Sequence, residues 1–130
     1  MKVNSILETA LYAEDLAAAE EFYTRVLGLK VQSRLEGRHV FFYSGAGMFL
    51  VFNPNTTGTE KGGHGCRGRG HVAWAVAPNE LDDWLKWLEG HGVKVKDFYW
   101  PNGARSLYFS DPANNSLELT SPETWGLPPL

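Results

Sequence analysis

An α+β fold made of two βαβββ modules is the architecture this sequence predicts, and three observations carry it. A strand-like stretch, an amphipathic helix and three short strands follow one another in that order, and the order occurs twice. Matching positions (Glu8 and His71, Gly28 and Gly92, Leu50 and Glu118) stand about half the chain apart. A Gly-, Asn- and Thr-rich stretch without periodicity, NPNTTGTEKGGHGCRGRG, separates the two runs. The 130 residues are read as one domain: module one over about 3–53, a loop over 54–69, module two over about 70–121 and a tail over 122–130.

In the first run, SILETALYA alternates, with Leu7, Thr9 and Leu11 on one side and Ile6, Glu8, Ala10 and Tyr12 on the other. Asp15 is placed to cap a helix in which Leu16, Ala19, Phe22, Val26 and Leu27 recur at helical spacing, and Gly28 to end it. Strands are expected over Lys30–Leu35, His39–Tyr43 and Met48–Phe52, with turns at EGR and GAG. In the second run, HVAWAV is a strand. The helix PNELDDWLKWLEGHG follows, capped by Asn79 and striped by Leu81, Trp84, Leu85 and Leu88. Strands over Val93–Trp100, Arg105–Phe109 and Ser116–Thr120 complete it, the last two joined by the DPANN turn. Two such modules are expected to be curved sheets, each with its helix outside, that enclose a cleft.

Composition narrows the partners. A 43% hydrophobic, 21% charged chain has enough apolar residues for one core and is ordinary for a soluble domain. A net charge of −3, with no Lys/Arg run, argues against nucleic acid. No apolar stretch reaches the roughly 20 residues needed to cross a bilayer, and MKVNSILETA lacks the pattern of a signal peptide. The single cysteine, Cys66, excludes an internal disulfide and suits a reducing compartment. A cytoplasmic protein is expected, with a small molecule as its partner.

The chemistry lies in what breaks the strand pattern. His71 shares its strand face with only Ala73 and Ala75, while Val72, Trp74 and Val76 take the core side. A packed face opposite a small-residue face with an imidazole on it reads as a cavity wall. Glu8 lies with Ala10 and Tyr12, opposite Leu7 and Leu11. Glu118 lies with Ser116 and Thr120, opposite Leu117 and Leu119. Three metal-binding side chains thus fall on the non-core faces of three strands. One imidazole and two carboxylates suit one divalent ion (Zn, Ni, Mn, Fe or Co) and leave positions open for substrate.

The stretches ILETALYAEDLAAAEEFYTRVLGLKV, GRGHVAWAV and RSLYFSDPANNSLEL resemble the vicinal oxygen chelate superfamily, the group of glyoxalases, bleomycin-resistance proteins and ring-cleaving dioxygenases. The resemblance implies an ion between the modules. The family's first-strand ligand falls on Glu8, the ligand opening module two on His71 and the last-strand glutamate on Glu118. The glyoxalase I branch has a further glutamate, used as a base, at the position held here by Leu50. The dioxygenase branch uses two histidines and one carboxylate, where this chain has one and two. What is implied is a metal-dependent, glyoxalase-like lyase, isomerase or dioxygenase whose substrate is chelated through neighbouring oxygens, working as a homodimer. The alternative is a metal-free protein that sequesters a small molecule, as bleomycin-resistance proteins do.

Other residues are placed around that centre. His64, in GGHGCRG, could act as a fourth ligand or as an acid/base, and with Glu118 forms the expected catalytic set. Arg105 could grip an anionic substrate group, and Trp100 and Tyr108 could line the cleft. Cys66 stands between His64 and Arg67, a setting that could favour a thiolate. Trp125 could pack on its own core or on a second subunit.

Overall fold

Each run of strand, helix and three strands folds into a four-stranded mixed sheet with a helix on one face, as the computed structural model of residues 1–130 describes. The backbone divides into one unit over Met1–Gly68 and a second over Arg69–Leu130. Unit one contains β1 (Glu8–Tyr12), α1 (Leu16–Arg25), β2 (Lys30–Leu35), β3 (His39–Ser44), β4 (Gly47–Phe52) and the short α2 (Pro54–Thr57). Its sheet runs β1-β4-β3-β2, with β1 parallel to β4 and the other pairs antiparallel. Unit two contains β5 (His71–Ala75), α3 (Leu81–Gly90), β6 (Lys96–Tyr99), β7 (Arg105–Ser110) and β8 (Ser116–Thr120), flanked by 3-10 turns at Pro78–Glu80 and Pro122–Trp125. Its sheet repeats the order as β5-β8-β7-β6, again with one parallel pair. No helix is long and apolar enough to cross a membrane.

Strand alternation sends one set of side chains under each helix and the other to the open face. In unit one Leu11, Val40, Phe42, Phe49 and Val51 are buried with Ala19 and Tyr23 of α1. The α1 stripe runs through Tyr23, which is fully buried and packs its ring on Phe42 and Phe49. In unit two Leu81 and Leu88 of α3 are buried, as are Leu107, Phe109, Leu117 and Leu119 of the sheet. Asp15 caps α1 as expected, accepting from the Ala18 amide at 2.9 Å. Gly28 and Gly92 follow the two helices with φ near +70°, a left-handed conformation that glycine takes without steric cost.

Three expectations are corrected. Asn79 does not cap α3, because a 3-10 turn runs straight into that helix and leaves no free cap position. The Glu80 carboxylate instead accepts from the Ala77 amide at 3.1 Å. The strand expected over Val93–Trp100 is ordered only over Lys96–Tyr99. The inter-module stretch is not wholly irregular: Asn53 accepts from the Asn55 amide and starts α2, with Pro54 in its first turn.

Candidate functional site

The open face of the second sheet carries the first cluster. β5 runs parallel to β8 with His71 opposite Ser116 and Ala73 opposite Glu118. The methyl of Ala73 therefore leaves space beside Glu118, which is only 7% exposed. His71 lies at the strand end and is half-exposed. Its Nδ1 is 3.0 Å from the Ser116 carbonyl oxygen, which can only accept, so the neutral ring carries its proton on Nδ1. The Nε2 lone pair then points toward Glu118, with Oε2 3.4 Å away. Fixing one ring nitrogen on a carbonyl so that the other is free is how metal-binding histidines are held. Two donors on one ion at ~2.1 Å, spread by a near-tetrahedral angle, stand ~3.4 Å apart. The spacing of the two side chains thus fits a shared cation.

Tyr108, opposite Glu118 on β7, donates its hydroxyl hydrogen bond to the Glu118 carboxylate. Burial first, and then that carboxylate, push the phenol above its ordinary range, so it stays a donor. Trp100 reaches the same face, its indole N–H donating to Ser106 Oγ at 2.8 Å and Ser106 donating to Thr120 Oγ1 at 3.0 Å.

Unit one presents the second cluster. Glu8 opens β1, exposed, with Met48 as its neighbour on β4. Ala10 stands beside Leu50, and Tyr12 beside Phe52. Leu50, at 7% exposure, keeps that row apolar. The stretch after α2 brings His64 onto the far end of this face, with Nδ1 2.5 Å from the Tyr12 hydroxyl and its ring edge-on to Phe52 at 4.7 Å. Glu8 and Tyr12 are four residues apart on one strand, about 13 Å, so His64 packs at the opposite end of β1 from Glu8. Burial and then the nearby Cys66 push the Tyr12 phenol up. Next to this pair, His39 stacks on Phe41 at 3.9 Å. Its Nδ1 accepts from Arg38 at 2.8 Å, while Arg38 is clamped through Nε and Nη2 on Glu60.

No three His, Cys, Asp or Glu side chains come together into a group that could hold a metal ion. Unit two supplies His71 and Glu118, and Glu8 belongs to unit one. Arg105, expected to grip an anionic substrate group, is engaged by carboxylates of its own unit. It shares the helix-side face with Leu107, Leu119 and Tyr99, where its guanidinium binds Asp97 at 2.8 and 2.9 Å and Asp82 at 2.6 Å. Two of its five N–H donors remain, but the two carboxylates beside them oppose an anionic ligand. Cys66 is exposed, and so is Trp125. Sequence reasoning passed over Tyr12 and His39, although Tyr12 shares a face with Glu8 and His39 begins a strand. Their partners, His64 and Arg38, lie on loops whose course no periodicity records.

The comparisons with known proteins agree with this architecture. The family profile of the glyoxalase/bleomycin resistance protein/dioxygenase superfamily matches residues 5–119. The crystal structure of a lactoylglutathione lyase from Agrobacterium tumefaciens superposes with a TM-score of 0.94 at 38% identity, covering 98% of this chain and 100% of that one. The metallothiol transferase FosB of Staphylococcus epidermidis is 26% identical over 113 residues, 81% of this chain and 74% of that protein. The fosfomycin resistance protein FosX of Listeria monocytogenes, 20% identical, has the same fold with a TM-score of 0.72 over 92% of this chain and 94% of that one. With two βαβββ units and a profile match across nearly its whole length, the chain belongs to the glyoxalase/bleomycin resistance protein/dioxygenase superfamily.

Proposed function

We propose that the chain is a divalent-metal-dependent, glyoxalase-like enzyme that acts on a small substrate held through neighbouring oxygen atoms. The observation that carries this reading is the His71–Glu118 pair: an imidazole fixed by Ser116, its Nε2 3.4 Å from a buried carboxylate oxygen. The same spacing serves an imidazolium–carboxylate pair when His71 is protonated, so metal uptake decides between the two. Likeness to a lactoylglutathione lyase at 38% identity and to a metallothiol transferase at 26% supports an enzyme over a sequestering protein.

His71 and Glu118 would hold the ion, and we assign Glu8 as the third ligand. Two carboxylates would offset its charge, while one imidazole in place of two sets the chain apart from the dioxygenase pattern and favours lyase or isomerase chemistry. When bound, the ion supplies Lewis-acid polarisation of a substrate oxygen. Tyr108 orients Glu118 by donating to it, and Ala73 and Ala75 keep that face open. Leu50 offers no base, and His64, held on Tyr12 at the far end of β1 from Glu8, stands too far from that ligand to move a proton on a small chelated substrate. A homodimer in a reducing, cytoplasmic setting belongs to the same reading. Val3, Ile6 and Leu7, just ahead of β1, are left exposed, and a second copy would cover them.

Metal analysis tests the proposal. Protein purified without chelator is expected to hold about one transition ion per chain, and the His71→Ala variant to hold almost none. A folded wild-type chain that takes up no zinc, nickel, manganese, iron or cobalt on titration would leave sequestration as the better reading.

A further inference from the structure

We infer that the second sheet carries an anion-binding site beside the His71–Glu118 pair, and that the substrate is a small molecule with a carboxylate or phosphate arm. The inference rests on the reading of that pair as the reaction centre and adds the substrate's charge. A cavity of about 470 Å³ opens on unit two, lined by Arg69, Lys94, Lys96, Tyr108, Ser110 and Ser116 among others, and no carboxylate lines it. On a chain of net charge −3, three positive side chains converge there, and none of them is in an ion pair. Elsewhere Arg34, Arg38, Arg67 and Arg105 all bind carboxylates.

The site is built rather than incidental. Arg69 is aimed by two hydrogen bonds, Nε to the Asn114 carbonyl at 2.9 Å and Nη2 to Ser110 Oγ at 3.1 Å. Three of the five guanidinium N–H donors remain for a ligand. Asn114 presents that carbonyl from a left-handed conformation with φ 66°, and no other non-glycine residue has positive φ. Asn115 ties the same turn to the base of β5 by accepting from the Gly70 amide at 3.0 Å and donating to Asp111 at 2.9 Å. The DPANN turn, which the sequence presents as a plain reversal, thus also positions Arg69.

Register connects the cavity to the metal-ligand pair. His71 is opposite Ser116, Ser116 opposite Ser110, Glu118 opposite Tyr108, and Tyr108 opposite Lys96. One open face therefore runs from the imidazole and carboxylate, across three hydroxyls, to the cations. A substrate whose vicinal oxygens lie at His71 and Glu118 would lay its anionic arm along this row. Charge-assisted bonds of this kind fix orientation, and unpaired cations speed capture of an anion.

The test uses the metal-free full chain. Inorganic phosphate and, separately, malonate are titrated at low ionic strength while backbone amide shifts are followed. Saturable shifts at Arg69, Lys94–Lys96, Ser110 and Ser116 are expected for at least one anion, and the one that saturates identifies the arm. The Lys94→Gln/Lys96→Gln variant should bind about tenfold more weakly. Lys30→Gln, on the other sheet, should bind like wild type. Equal affinity in the double variant and Lys30→Gln would overturn the inference. So would an anion that binds only after zinc is added and is lost in His71→Ala, because it would then sit on the metal. Since the titration contains no metal, failure of the metal proposal leaves this result readable on its own.

Discussion

Replacing Glu118 with glutamine should move two readouts in opposite directions. In the metal-free protein with a neutral His71, the Nε2 lone pair faces a carboxylate oxygen 3.4 Å away, and the Glu118 side chain is 9% exposed. No proton lies between them, because Nδ1 donates to Ser116. A glutamine amide can donate to Nε2 while its carbonyl still accepts from Tyr108. It thus gains one hydrogen bond, worth about 1 kcal/mol, and removes a buried charge. Stability in chelator should rise by about 1 kcal/mol, or a Tm increase of about 4 °C for a chain of this size. Metal affinity should fall by about a hundredfold, roughly 2.7 kcal/mol, once a charged ligand becomes a neutral amide. Thermal melts in chelator and a competition titration with a metal indicator measure the two effects. A variant that is less stable than wild type in chelator, or that binds the metal equally well, would refute the reasoning.

Two further predictions concern residues away from the ligand pair. Arg105→Ala should destabilise unit two by about 2 kcal/mol, because it strips a largely buried guanidinium from Asp97; the Asp82 carboxylate is well exposed and adds little. Urea unfolding reads that loss, and an unchanged KM for the folded variant would confirm a structural role, whereas an intact stability with raised KM would restore Arg105 to the substrate. His39 is held below its ordinary range by burial first and then by Arg38. Its folded form therefore resists a proton that the unfolded chain accepts, so stability falls as pH drops below about 6.5, the unfolded value. His39→Gln should flatten that acid limb in pH-dependent unfolding, and an unaltered limb would show that His39 does not set it.

What could be read from the chain was whatever repeats on a two- or four-residue period. The alternation of HVAWAV correctly divides His71, Ala73 and Ala75 from Val72, Trp74 and Val76, because neighbouring strand residues must point to opposite faces. The helix stripes were legible for the same reason, apart from Tyr23, whose hydroxyl makes it look like a surface residue although its ring fills the core. Contacts closed over long sequence separations were not legible: Tyr12 with His64, Arg38 with Glu60, Arg69 with Asn114. Each depends on where a loop returns, and a chain of glycines and polar residues carries no period from which to read that.

Glu118 is the residue of the candidate site whose placement conflicts most with its surroundings. In β8 every residue from Leu117 to Thr120 is buried, so an ionisable side chain there costs free energy that leucine would not. A local choice that disagrees with its surroundings is kept only where something else uses it. Arg69, Lys94 and Lys96 are exposed, so they carry no such cost; they stand out only as cations gathered on one face without a carboxylate among them. The buried carboxylate and the exposed cations lie on one face of one sheet, and that face is where a metal ion and an anionic substrate would supply the opposite charges.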